Sequence, residues 1–344
     1  NGVNENMMRT LSQETAEALF NNLVNANTDT VKQFAGTQDG QIVIKSKTGT
    51  DIQGNIANIS QGENSKISIY NMNNATNGIN ISGKVSNAKG LLKINNNEGD
   101  MTISGTLENN GTTQIANTIG QQENNNSKQT ISGNLNTQGT LEITNTGSQG
   151  QEISGNVQHQ GNASVKNGYE ANAKNNTAGM TISGTFNTTG DAAFTNYESG
   201  IDGLNVTGKI TSGGKSTYIN NGAGGLNIKQ GANVKSSTNL EMLNTGVGGL
   251  NIDGTVTNIG TATVTNEAGG LNINGTFDNT GDATILNKDT ATKLTISGSV
   301  IGKNGTTNIT NNASGGFEET STGNINTTGL NITNTGNGGL IVSN

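Results

Sequence analysis

Residues 250–270 read LNIDGTVTNIGTATVTNEAGG, and residues 271–287 follow as a near copy, LNINGTFDNTGDATILN. Three alternating pieces lie in the first: Leu250 and Ile252, then Val256, then Ala262 and Val264, each apolar residue flanked by Asn, Thr, Gly or Asp. A period of two is that of a strand with one buried and one wet face. Gly254, Gly260 and the pair Gly269 and Gly270 separate the pieces, which predicts corners that use the positive φ open to glycine. Three strands and three corners make one coil of a solenoid.

The glycine after the first strand tracks the repeat. From Gly54 to Gly83 is 29 residues, from Gly83 to Gly105 is 22, and from Gly254 to Gly275 is 21. A fixed minimum with additions is the signature of a coil with loops. Ile52, Ile81, Ile103, Ile131, Ile153, Ile182, Val206, Ile252, Ile273 and Ile296 stand two before the glycine. Ile56, Val85, Leu107, Leu135, Val157, Phe186, Ile210, Val256, Phe277, Val300 and Ile325 stand two after it. The third strand adds Ile94, Ile115, Ile143, Val165, Phe194, Ile219, Met242, Val264, Ile285, Ile309 and Ile332. Stacked coil on coil, these predict three inward columns. The fold expected is all-β, a right-handed parallel β-helix of about 12 coils with three short strands each; at roughly 4.8 Å per coil the stack is on the order of 55 Å long.

Composition agrees. Of 344 residues, 29% are hydrophobic and 3% aromatic, too few for a round core. Disorder is not indicated either, because charged residues are 12% and proline is absent, whereas disordered chains are enriched in both. The absence of cysteine removes disulfides, thiol chemistry and cysteine metal sites. A net charge of −7 and a single arginine, Arg9, argue against nucleic acid as a partner. No apolar run approaches the roughly 20 residues that span a bilayer, so no membrane insertion is expected in this segment. No signal peptide is visible, so the sequence reads as a mature protein or an excised segment.

Residues 1–34 differ from the rest. Thr10 to Gln13 resemble a helix start, and Leu11, Thr15, Leu19 and Leu23 lie four apart with Phe20 and Val24 widening the face, predicting an amphipathic helix over about 11–25. This segment is expected to cap the β-solenoid domain at 35–344, or to dock on another subunit. Leu11, Leu19, Phe20 and Leu23, with Leu340 and Val342 at the opposite end, are the candidate assembly residues. Extra residues in the longer repeats fall after the third strand, as from Thr118 and from Gly168, placing loops at one corner where solenoids carry recognition surfaces. An Asn closes the third strand at Asn95, Asn117, Asn145, Asn167, Asn196, Asn220, Asn244, Asn266, Asn287, Asn311 and Asn334. Two readings are compatible: an amide ladder between coils, and tolerance of the left-handed turn.

Little chemistry is visible. Polysaccharide lyases and hydrolases need clustered carboxylates, whereas here the Asp residues are scattered, Asp278 and Asp282 being the closest pair of them. His159, the lone histidine, is expected to be a solvated strand residue. Gly214, Lys215 and Ser216 form GKS, but Lys209 stands where a phosphate loop needs glycine. No catalytic, cofactor or metal residue is predicted, and the chain is not expected to be an enzyme.

The repeat in GGLNIDGTVTNIGTATVTN resembles the arrays of filamentous-haemagglutinin-like and leukotoxin-family filamentous adhesins, exported by two-partner secretion in Gram-negative bacteria. The resemblance covers roughly residues 50–344. It implies a secreted β-helix at the bacterial cell surface, serving adhesion, aggregation or biofilm formation, with surface glycans, proteins or other copies of itself as partners. The family's secretion domain has Asn-Pro motifs, which a chain without proline lacks, so the segment is expected to be interior to a longer exoprotein or to belong to a relative that uses the fold differently. The second reading is a subunit of an extracellular filament or surface layer joined end to end; a polysaccharide-acting enzyme is third.

Overall fold

The structure, a computed structural model, describes residues 31–34, 41–46, 49–71, 76–119, 125–170 and 177–343, with side chains from residue 49 onward. The helix predicted over 11–25, with Leu11, Leu19, Phe20 and Leu23, lies outside the described residues. Every described element is a β-strand, and every pairing between strands is parallel within a stack of coils, so each part of the chain is a β-solenoid. Val31–Phe34 already belongs to this scheme, pairing in parallel with Asn55–Asn58. Two compact units divide the chain at Val165 and Lys166.

In the first unit, Thr50–Ile52, Ile79–Ile81, Met101–Ile103, Gln129–Ile131 and Gln151–Ile153 pair in sequence order. In the second, Met180–Ile182, Leu204–Val206, Leu226–Ile228, Leu250–Ile252, Leu271–Ile273, Leu294–Ile296, Phe317–Glu319 and Leu340–Val342 do the same. Apart from Leu226–Ile228, buried throughout, and the exposed last strand Leu340–Val342, their pattern is buried, outward, buried, as period two requires, and Ile stacks on Ile at most third positions. Each fully buried aliphatic chain contributes about 1.5–3 kcal/mol, and each coil adds the same increment to its neighbour.

The second and third strands depart from the expected three-part coil. In the first unit Asn55–Asn58 and Lys66–Asn71 are separate, but the later coils run on as single strands, Lys84–Asn96, Thr106–Asn117 and Asn134–Asn145, bent at Gly90, Gly111 and Gly139, all at positive φ. In the second unit most coils keep them apart, as Thr255–Asn258 and Ala262–Asn266, with Ser299–Asn311 and Asn324–Asn334 again continuous. The separated corners carry a side chain that replaces the interrupted ladder: Asp191 Oδ1 accepts from Lys215 N at 2.8 Å and Asp282 Oδ1 from Thr306 N at 2.9 Å.

Two corrections concern glycine and Tyr218. The marker glycines, Gly254 included, are not at positive φ. At Gly105, Gly133 and Gly155 a Cβ would fall on the carbonyl oxygen of the preceding marker glycine, so the requirement is close approach of two backbones. Gly260 is not at positive φ either, whereas the pair Gly269 and Gly270 is, as expected, and so is Gly249 in another GGL run. Ile219, read as inward, faces out, and Tyr218 is fully buried. Asn220 must point inward to join its column, and alternation then places 218 inside. Tyr218 stacks on Phe194 at 5.3 Å and 8°, and Phe194 meets Phe186 edge-on at 5.1 Å.

Burial pushes the Tyr218 hydroxyl well above the ordinary tyrosine value, Ser216 offsetting this in part, although neither hydroxyl reaches hydrogen-bond geometry. Tyr218→Phe is therefore expected to raise stability by up to ~1 kcal/mol, since it removes a desolvated hydroxyl without opening a cavity. A urea midpoint below that of the parent chain would show that the hydroxyl is satisfied.

Candidate functional site

The third corner is built on a buried amide column. In the first unit Asn71 Nδ2 donates to Asn96 Oδ1, Asn96 to Asn117 and Asn117 to Asn145, at 2.7–2.8 Å. In the second unit the same bond runs from Asn167 through Asn196, Asn220, Asn244, Asn266, Asn287 and Asn311 to Asn334, at 2.8–3.0 Å. The other amide hydrogen holds the corner loop, as Asn196 does on Gly200 O at 2.7 Å and Asn220 on Gly222 O at 2.8 Å. Among the described residues the only non-glycine at positive φ is Asn126, so these Asn residues are chosen for the ladder and not for a left-handed turn. Asn95 is the exception in the predicted set: the register shift between Asn87 and Gly90 puts Asn96 in the column and Asn95 outside.

The residue after each ladder Asn forms an outward column held by backbone bonds. Tyr197 N donates to Asn167 O, Asn221 N to Asn196 O and Thr245 N to Asn220 O, each at 2.9 Å. In three successive coils of the second unit these residues, with Glu170 and Glu198, line an open cleft of about 470 Å³. Thr245 Oγ1 donates to Asn221 Oδ1 at 3.0 Å. In the same corner segments, four residues after Tyr197 and two after Thr245, Ile201 is 41% exposed and Val247 73% exposed, large apolar groups that the core does not use. Among the described residues the ion pairs involve Glu63, Glu108, Glu152, Glu241, Glu318 and Asp278, and neither cleft carboxylate.

Sequence reasoning placed recognition loops at this corner but singled out none of the cleft residues. One signal was present: Tyr197, one of four tyrosines in a chain with 3% aromatics, directly follows the ladder Asn196.

Elsewhere the carboxylates serve the fold. Asp289 accepts from Gly270 N, Ala291 N and Thr292 N at 3.0–3.2 Å. Asp278 pairs with Lys303 at 3.0 Å while Asp282 takes the Thr306 N–H, so the closest Asp pair is divided between two structural tasks. Among the described residues no group of three His, Cys, Asp or Glu is placed to hold a metal ion, and no helix is long and apolar enough to cross a membrane. Leu340 and Val342 are 49% and 51% exposed on the last described strand, and their expected counterparts Leu11, Leu19, Phe20 and Leu23 lie outside the described residues.

His159 is corrected: it is 2% exposed and not solvated. It occupies a polar inward position shared by Asn58, Asn87, Asn109 and Thr137, all buried at the end of the second-strand segment. Nδ1 accepts from Thr137 Oγ1 at 2.7 Å and Nε2–H donates to Gly139 O at 2.9 Å, a neutral tautomer with both nitrogens used. Desolvation lowers its pKa below 6.5, against the raising effect of the carbonyl of Gly139 and two other backbone groups. The unfolded chain thus takes up the proton first. Stability contributed by the neutral ring is complete above about 6.5 and is lost as pH falls through the lowered folded value. His159→Thr is expected to flatten the dependence of the urea midpoint on pH below 6.5; an unchanged slope would assign that dependence to other groups.

The fold and the cleft define a class: a β-solenoid repeat protein with an outward corner surface. Comparison with family models, with curated proteins and with solved structures finds no match to this chain.

Proposed function

We propose that the chain is a structural and adhesive module of a secreted bacterial surface protein, mediating adhesion or cell–cell aggregation. The observation that carries this reading is the division of labour within each coil. Inward positions, including the amide column, join each coil to the next, while the third corner of the second unit holds an aromatic ring, two carboxylates that no described lysine pairs, and two large apolar groups facing solvent. Repeats of this kind extend a scaffold by adding neighbours and present variable corners along it. The repeat style seen in GGLNIDGTVTNIGTATVTN supports the bacterial exoprotein context by resemblance.

Beads coated with the purified chain are expected to clump with bacterial or host cells at least tenfold more than albumin-coated beads. Equal clumping overturns the adhesive reading. Electron microscopy of the same sample separates the filament-subunit reading, which requires fibres instead of discrete particles.

A further inference from the structure

The third-corner cleft of the second unit has a composition that selects its ligand. Its floor is the column Tyr197, Asn221 and Thr245, one residue from each of three successive coils, so it runs along the stacking direction. Three positions separated by about 4.8 Å cover roughly 10 Å, a length that suits a short linear ligand better than a compact one. The half-buried Tyr197 supplies a ring, Asn221 retains its amide donor, and Thr245 supplies a hydroxyl acceptor. Glu170 and Glu198 add two negative charges, and among the described residues no lysine is paired to either.

From this we infer that the cleft binds a short amino-sugar chain bearing free ammonium groups, a proposal that rests on the adhesive reading above and names its ligand. An ammonium is drawn both to the unpaired carboxylates and to the face of the tyrosine ring. The C–H face of a pyranose packs on an aromatic ring, and its hydroxyls pair with Asn221 and Thr245. A neutral glycan would leave Glu170 and Glu198 without a counter-charge, and an acidic one would be repelled by them. A lysine-rich peptide meets the charge but offers flexible stems in place of the rigid hydroxylated face that the amide and hydroxyl address. Because the site is open to water, the affinity is modest, with a dissociation constant on the order of 1 mM.

The test is titration of the full chain with glucosamine trimer, its fully N-acetylated counterpart and trilysine, followed by NMR or calorimetry. Glucosamine trimer is expected to bind at least tenfold more tightly than the other two, with affinity falling as salt is raised. Tyr197→Ala and Glu198→Gln should each weaken it about tenfold, while Glu241→Gln, at an ion pair outside the cleft, should leave it unchanged. Equal binding of the acetylated trimer removes the ammonium from the argument, and equal binding of trilysine removes the sugar; either overturns the assignment, as does no binding at all. The two proposals fail separately. Saturable trimer binding without bead clumping sinks the adhesive reading and keeps the site, whereas bead clumping untouched by Tyr197→Ala, with no trimer binding, sinks the site and keeps adhesion.

Discussion

Asn244→Asp is expected to destabilise the second unit by ~4 kcal/mol at neutral pH. Asn244 is fully buried. Its Oδ1 accepts from Asn220 Nδ2 at 2.8 Å and from Gly246 N at 3.1 Å, contacts that a carboxylate keeps. Its Nδ2 donates to Asn266 Oδ1 and Gly246 O, both at 2.8 Å, and to Ala268 O at 3.3 Å. In the variant an oxygen replaces that nitrogen and faces three other oxygens.

Protonation restores a donor, so the folded-state pKa of the new carboxyl is raised above the usual value near 3.9. The sign follows: the folded state holds the proton longer, and stability is lost as pH rises through the interval between the unfolded and folded values. The gap in urea midpoint between variant and parent should therefore be small near pH 4 and widen toward pH 7. Asn244→Ala removes all five contacts, costs ~3 kcal/mol, and carries no such pH dependence. Hydrogen exchange should place the loss in coils flanking residues 220–266, since each coil is held by its neighbours. A pH-independent gap for Asn244→Asp would mean that water or a shifted loop has taken over the donor role.

Gly105→Ala is expected to cost ~3 kcal/mol or more in the first unit. The added methyl meets the Gly83 carbonyl oxygen, with the Ser82 and Gly83 carbonyl carbons close behind. Those groups cannot yield cheaply, because Gly83 N donates to Ile52 O at 3.0 Å and Gly105 N to Ile81 O at 3.0 Å, bonds that set the coil spacing. Gly231→Asn is the contrasting variant. Gly231 has a φ of 86° with nothing within 4 Å of an added Cβ, and Asn tolerates the left-handed region, so the change should stay within ~1 kcal/mol. Denaturant midpoints of the two variants decide the matter: similar, small losses in both would show that the coil can open at the marker glycine.

The contrast between those glycines marks a limit of reading along the chain. The spacing of Gly83, Gly105 and Gly133 is visible in the sequence, but whether a glycine serves φ or proximity depends on what lies one coil away. The cleft shows the same limit. Glu170, Tyr197, Asn221 and Thr245 are distributed over four coils and occupy a single groove only after stacking.

The sequence by itself determined the parallel stack, the inward aliphatic columns and the Asn at the end of the third strand, because each follows from alternation within one coil and recurrence between coils. Tertiary structure decided what depends on register between coils. Tyr218 displaced Ile219 from the core because Asn220 had to reach Asn196 and Asn244; Asn96 displaced Asn95 because the neighbouring strand shifts by one position; and His159 went inward to meet Thr137. In each case a hydrogen bond to a residue more than 20 positions away fixed which face of the strand was buried. A pattern of apolar letters along one strand does not contain that partner.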